Sequence, residues 1–362
     1  MRDNDPLEDW LIRHEFEKSV RVKAQAHAQA RVCLERLNAL LAGGRSKKTN
    51  LFESGIGRWG APALDPADLS RAEELYHVVV VRGGSGSTFV QEGLLEMIAS
   101  ARDPASVPFW LGLLDLRRPR DSFAARRRAY ALAAFALLAV TRNAPEGWKA
   151  LGTAARYVDP EVRALAVHYI GRACLRSNSP APSDVRAQLA DIAQHDSSFG
   201  ARFQARLALL AAGEPAPLDY PGGVFLFKIS GGRGGGFSRT IALRSEQTLD
   251  DLHLAIQNAI DWDADHLYSF FMNGKSGDQH YAFSCPFDKE SPPFADEAVI
   301  GALGLMPKHK FLYLFDYGDC HEFAVEVVGI LARREKGVRY PRVLESHGEA
   351  PQQYPDWDER FS

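Results

Sequence analysis

Cysteine is scarce in this 362-residue sequence, and the four present (Cys33, Cys174, Cys285, Cys320) lie far apart, with no pair at metal-ligand spacing. That pattern excludes a disulfide framework and a zinc knuckle, and it points to a reducing compartment. Long apolar runs are lacking too. The longest, Ala129 to Val140, has 12 residues, short of the ~18 needed to span a bilayer. It reads as a buried helix, and no membrane partner is expected. The opening residues Met1-Arg2-Asp3-Asn4-Asp5 form no basic-then-apolar signal segment, so a cytoplasmic protein is expected. No catalytic signature stands out. The expectation is a non-enzymatic protein with no cofactor.

The composition, 46% hydrophobic and 25% charged, is that of an ordinary globular chain long enough for two domains. The net charge of −3 is unevenly divided. Residues 1–216 carry 29 Lys and Arg against 24 Asp and Glu, and residues 217–362 carry 14 against 22. A basic front and an acidic back can steer separate partners.

The first two-thirds read as helical. Leu11, Phe16, Val20, Val22, Val32, Leu34, Leu37 and Leu41 recur at helical spacing until Gly43-Gly44 stops the pattern. Ser70 and Glu73 have capping-box spacing, which predicts a helix from near Leu69, with Val78 to Val81 as its end. Asp121, Asp159 and Asp196, 38 and 37 residues apart, each precede an apolar helical segment (Ala124 to Val140, Glu161 to Leu175, Phe199 to Ala211). The interval suits an α-solenoid of helix pairs and resembles HEAT-like repeats. The organisation expected is an N-terminal helix and loop (1–65), HEAT-like repeats (66–215) and an α+β domain (219–358). Such arrays act as scaffolds on which a protein or nucleic acid docks.

Arg117, Arg118, Arg120, Arg126, Arg127 and Arg128 crowd twelve positions. They suit a phosphate-binding strip. As a solvated helix face, their stems would simply cover apolar surface.

The Pro- and Gly-rich stretch Ala212 to Gly223 marks a boundary, after which alternation replaces helical period. Strands are predicted at Val224 to Ile229 and Arg239 to Leu243, joined by Gly231-Gly232-Arg233-Gly234-Gly235-Gly236. This loop leads into a strand and lacks a Gly-Lys-Ser/Thr ending, so it is a hairpin loop rather than a nucleotide site. Thr248 and Asp251 predict a capped helix whose apolar face is Leu249, Leu252, Ile256 and Ile260. Further strands are expected at Leu267 to Met272, Phe311 to Phe315 and Glu322 to Ile330, with a short helix near Glu297 to Leu303. The sum is a mixed sheet packed on one main helix.

Three ordered motifs occur in this region. They are Trp262-x-x-x-His266-Leu267-x-x-Phe270, then Phe311-Leu312-Tyr313-Leu314-Phe315-Asp316-Tyr317-Gly318-Asp319, then Arg339-Tyr340-Pro341-Arg342 with the tail Gly348-Glu349-Ala350-Pro351 and Tyr354-Pro355. Together they resemble the plasmid pRiA4b ORF-3-like family, sometimes labelled transposon passenger proteins of a TnpR type, over residues 219–358. The resemblance implies a recognised fold without an established activity. It marks Trp262, His266, Tyr313, Asp316, Gly318, Asp319, Tyr340 and Pro341 as motif positions. His321 stands where the family commonly has Trp, with Phe323 two positions on, and a Pro/Tyr tail replaces a cysteine-bearing one.

Three functional readings follow. The first is a binding scaffold without chemistry. The second is a metal-dependent hydrolase or nuclease using Asp316, Asp319, His321 and His266, which requires the four side chains to converge. Hairpin geometry alone also explains Asp316 to Asp319, with Asp316 accepting backbone N–H groups. The third is a DNA-associated mobile-element accessory protein bound through the arginine strip.

Overall fold

Apolar residues three and four apart build the N-terminal region. In the computed structural model, which describes residues 20–42, 50–56, 61–83, 86–115, 145–177, 181–231, 236–288, 291 and 293–354, helix α1 (Val20–Ala42) buries Ala30, Cys33, Leu34 and Leu37 on one stripe. Helix α2 (Leu69–Arg82) buries Leu69, Ala72, Tyr76 and Val79 in the same way. The β-branched run Val78 to Val81 is therefore helical, and only Val79 lies on the buried stripe; Val81 is 77% exposed. The expected Ser70–Glu73 capping box does not form. The helix begins at Asp68 without a side-chain cap bond, and Asp65 caps the preceding 3-10 turn (Pro66–Asp68) by accepting from the Ala67 amide.

Helix α2 packs against α3 (Ser87–Ala101). Helix α4 (Val107–Asp115) follows, then α5 (Pro145–Ala154) against α6 (Pro160–Ser177) and α7 (Ser183–His195). Asp159 does cap α6, its Oδ1 accepting from the Glu161 amide at 2.8 Å, with Pro160 in the first turn where its missing N–H costs nothing. The six arginines from Arg117 to Arg128, Asp121 and the segment Ala124 to Val140 lie outside the described residues. No helix among the described residues is long and apolar enough to cross a membrane.

The chain divides into two units, Met1–Gln188 and Leu189–Ser362. Helix α8 (Phe199–Ala211), grouped with the repeats by its spacing, belongs to the second. Phe203 is 1% exposed within the apolar cluster of the sheet, its ring 5.4 Å from Tyr281 and 5.8 Å from Phe283. The helical period is real, but the apolar face of α8 covers strands rather than a further helix pair.

The second unit holds a seven-stranded sheet: β1 (Val224–Gly231), β2 (Ser238–Arg244), β3 (Tyr268–Phe271), β4 (Ala282–Ser284), β5 (Lys310–Phe315), β6 (His321–Leu331) and β7 (Arg342–His347), in the order β4-β3-β5-β6-β1-β2-β7. Every strand pair is antiparallel, which corrects the expected mixed sheet. Parallel neighbours need a crossover connection. Among the described residues the single α-helix between strands, α9 (Leu249–Ile260), joins β2 to β3, and these are not neighbours. Thr248 and Asp251 form both arms of the predicted capping box. Leu249, Leu252 and Ile256 are 0% exposed and Ile260 4%, so the predicted apolar face is the one that is buried. The short helix expected near Glu297 is a 3-10 turn, Ile300–Ala302.

Candidate metal centre at the β5–β6 turn

Strand register brings the motif residues together. β3 and β6 flank β5, pairing Tyr268 with Phe315 and His321 with Phe315. The residues just before β3 and those at the β5–β6 turn therefore share one end of the sheet. A backbone bond from the Asp316 amide to the Leu267 carbonyl (3.0 Å) locks that juxtaposition.

The turn is built around Asp316, which takes left-handed backbone geometry (φ 56°) and is buried. Its Oδ1 accepts from the amides of Gly318 (2.9 Å) and Asp319 (3.4 Å), and its carbonyl accepts from Cys320 (2.7 Å). A Cβ at position 318 would stand 3.2 Å from Asp316 Oδ1, so glycine gives the carboxylate room. Tyr317 folds back on β3, its hydroxyl bonding Ser269 (2.7 Å) and the Tyr268 carbonyl (3.1 Å). The hairpin reading of Asp316 to Asp319 thus describes the backbone, and the side chains still converge.

One carboxylate oxygen each from Asp316 and Asp319 and one ring nitrogen of His321 lie within 4.8 Å of one another. Asp316 is buried, His321 half-buried and Asp319 exposed. His266 stands beside this trio, its Nε2 3.7 Å from Asp316 Oδ2. Its Nδ1 is 2.7 Å from Asp265 Oδ1 and 3.1 Å from the Tyr354 hydroxyl. The hydrogen bond with Asp265 raises the His266 pKa above the ordinary imidazole value and lowers that of Asp265. Desolvation, followed by the charges of Asp265 and Asp316, raises the pKa of Tyr354.

Trp262 packs edge-on to His321 with centroids 4.7 Å apart. The other motif positions lie elsewhere. Tyr313 is in the core, accepting from Gln257 and bonded to His253. Tyr340 and Pro341, joined by a cis peptide, lead into β7. Sequence reasoning did not single out Asp265 or Gln353 at this site, and it noted Tyr354 only within the tail motif. The adjacency of Asp265 to His266 was the available signal.

No curated protein matches the chain. Among solved structures, the crystal structure of a protein of unknown function from Methanosarcina mazei Go1 is 27% identical over 36% of this chain and 73% of its own, with a TM-score of 0.31. The C-terminal region, residues 236–354, matches the family model of plasmid pRiA4b ORF-3-like protein.

Proposed function

We propose that the C-terminal unit is a divalent-cation-binding module whose ligands are Asp316, Asp319 and His321. The observation that carries this reading is the approach of three donor atoms to within 4.8 Å. Two carboxylates and an imidazole suit a borderline ion such as zinc, manganese or cobalt, with metal–donor bonds of ~2.0–2.2 Å. Small side-chain closures bring the three onto one ion. Three protein ligands leave coordination positions open for water or a substrate oxygen, which is what metal-assisted hydrolysis requires. Hydrolase or nuclease chemistry is the activity this arrangement favours. His266 then orients Asp316, so it serves outside the ligand set rather than within it.

Zinc and cobalt titration of the full chain by calorimetry tests this reading. One ion should bind per chain, and Asp319→Asn and His321→Ala should each remove that binding. A chain that takes up no zinc, manganese or cobalt in excess ion disproves it.

A second reading concerns the helical unit, for which docking of a protein or nucleic acid on HEAT-like helix pairs is favoured. Phe52 and Phe89 support it. Their rings pair at 5.4 Å although they are 46% and 42% exposed, an apolar spot of the kind partners cover. The arginine strip favours a nucleic acid, as in a mobile-element accessory protein. None of the four cysteines is in a disulfide, which suits a cytoplasmic location. Binding to duplex DNA that weakens steeply with salt is the corresponding test.

A further inference from the structure

The segment after β7 is tied to the loop between α9 and β3 by a series of bonds. The Trp262 indole Nε1 donates to the Pro351 carbonyl at 2.7 Å. The Asp263 amide donates to Gln353 Oε1 at 2.9 Å, and Gln353 Nε2 donates back to the Asp263 carbonyl at 3.0 Å. These bonds bring the Tyr354 hydroxyl to His266 Nδ1. Contact continues through the imidazole, whose Nε2 faces Asp316 Oδ2. Trp262, held by Pro351, lies against the ring of His321. Two donors of the trio therefore touch residues that this segment holds.

We propose that Pro351–Tyr354 is an intrachain strap that sets the donor geometry of the cation site, with Tyr354 as a positioning residue acting through His266 on Asp316. The proposal rests on the cation reading given above. An imidazole on a loop turns freely unless both its plane and its tautomer are fixed. Asp265 and Tyr354 both engage Nδ1, and this leaves Nε2 aimed at the carboxylate. Gln353 fixes where the strap crosses, because its amide bonds both the N–H and the C=O of Asp263. Partners outside the ligand shell change metal affinity by about 10–100-fold, since they restrict the angles at which ligands meet the ion.

The test is a cobalt(II) chloride titration of the full chain, read by visible absorption, in four proteins: unaltered, Asp319→Asn, Tyr354→Phe and Gln353→Ala. Asp319→Asn should lose the bands. Tyr354→Phe and Gln353→Ala should each bind about tenfold more weakly or worse, with displaced bands, while melting as the unaltered protein does. Tyr354 is 52% exposed, and Phe keeps its ring, so a mere packing role leaves Tyr354→Phe with the original spectrum. Original spectra and affinities in both strap variants, with binding lost in Asp319→Asn, overturn the strap and leave the cation site standing. A change in one strap variant without the other also overturns it. No cobalt bands in the unaltered protein overturn both proposals.

Discussion

The buried imidazole of His253 and the hydroxyl of Tyr313 meet at 2.7 Å in the C-terminal core. Gln257 donates to the same hydroxyl oxygen at 2.6 Å. Burial holds the His253 pKa at about 4, below its ordinary 6.5.

This geometry gives an acid-sensitive core. A folded-state pKa below the unfolded one means that the unfolded chain binds the extra proton between the two values. The His253 contribution is complete above pH 6.5 and is lost as pH falls toward about 4. Up to about 3 kcal/mol is at stake over that window. Urea midpoints between pH 4 and 7.5 should fall on the acid side, and His253→Gln should flatten that limb. An equally steep limb in His253→Gln would mean that another group controls it.

Gly318→Ala places a methyl group against the Asp316 carboxylate. Stability should drop by about 1 kcal/mol, from the crowding alone. Cobalt affinity should drop several-fold, because Asp316 must turn away from the trio. Calorimetric titration checks the second effect independently of the first.

Arg206, 2% exposed, ties α8 to α7 and to the segments at Pro217–Asp219 and Gly301. It donates to the carbonyls of Ala193 (3.0 Å), Pro217 (2.8 Å) and Gly301 (3.4 Å) and pairs with Asp219 at 3.0 Å. Arg206→Ala removes these bonds, although Asp219 is 29% exposed and the Gly301 carbonyl keeps its bond from the Asp219 amide, and should cost about 2–3 kcal/mol in urea unfolding. Lysine lacks the planar fork, so Arg206→Lys should recover less than half of the loss.

Thr248→Ala removes the Oγ acceptor of the Asp251 amide at the start of α9. Loss of this cap should cost about 1 kcal/mol. A thermal melt of the variant, with Thr248→Ser as the control that keeps the hydroxyl, measures it.

The elements most legible in the sequence were those whose signals are local. The capping box at Thr248 and the apolar face of α9 depend only on residues within a few turns, as does the Asp316 turn. β4 has three residues, too few for alternation to register. β7 is exposed at all six positions, so no buried face marks it. The apolar stripe of α8 announces a helix, but the same stripe serves a helix pair or a sheet equally well. At the site, Asp316, Asp319 and His321 stand close in the chain and were readable together. Gln353 and Tyr354 lie some ninety residues beyond the loop they hold, where only the folded sheet brings them back.

The covering of Tyr281 and Phe283 by Phe203 bears on how this region is isolated. A fragment opening at Glu214, where the sequence first turns Pro-rich, strips the aromatic lid from those rings and leaves Gly301 and Asp219 without their guanidinium. It should clump on expression. One opening at Leu189 carries its own roof and should remain monodisperse.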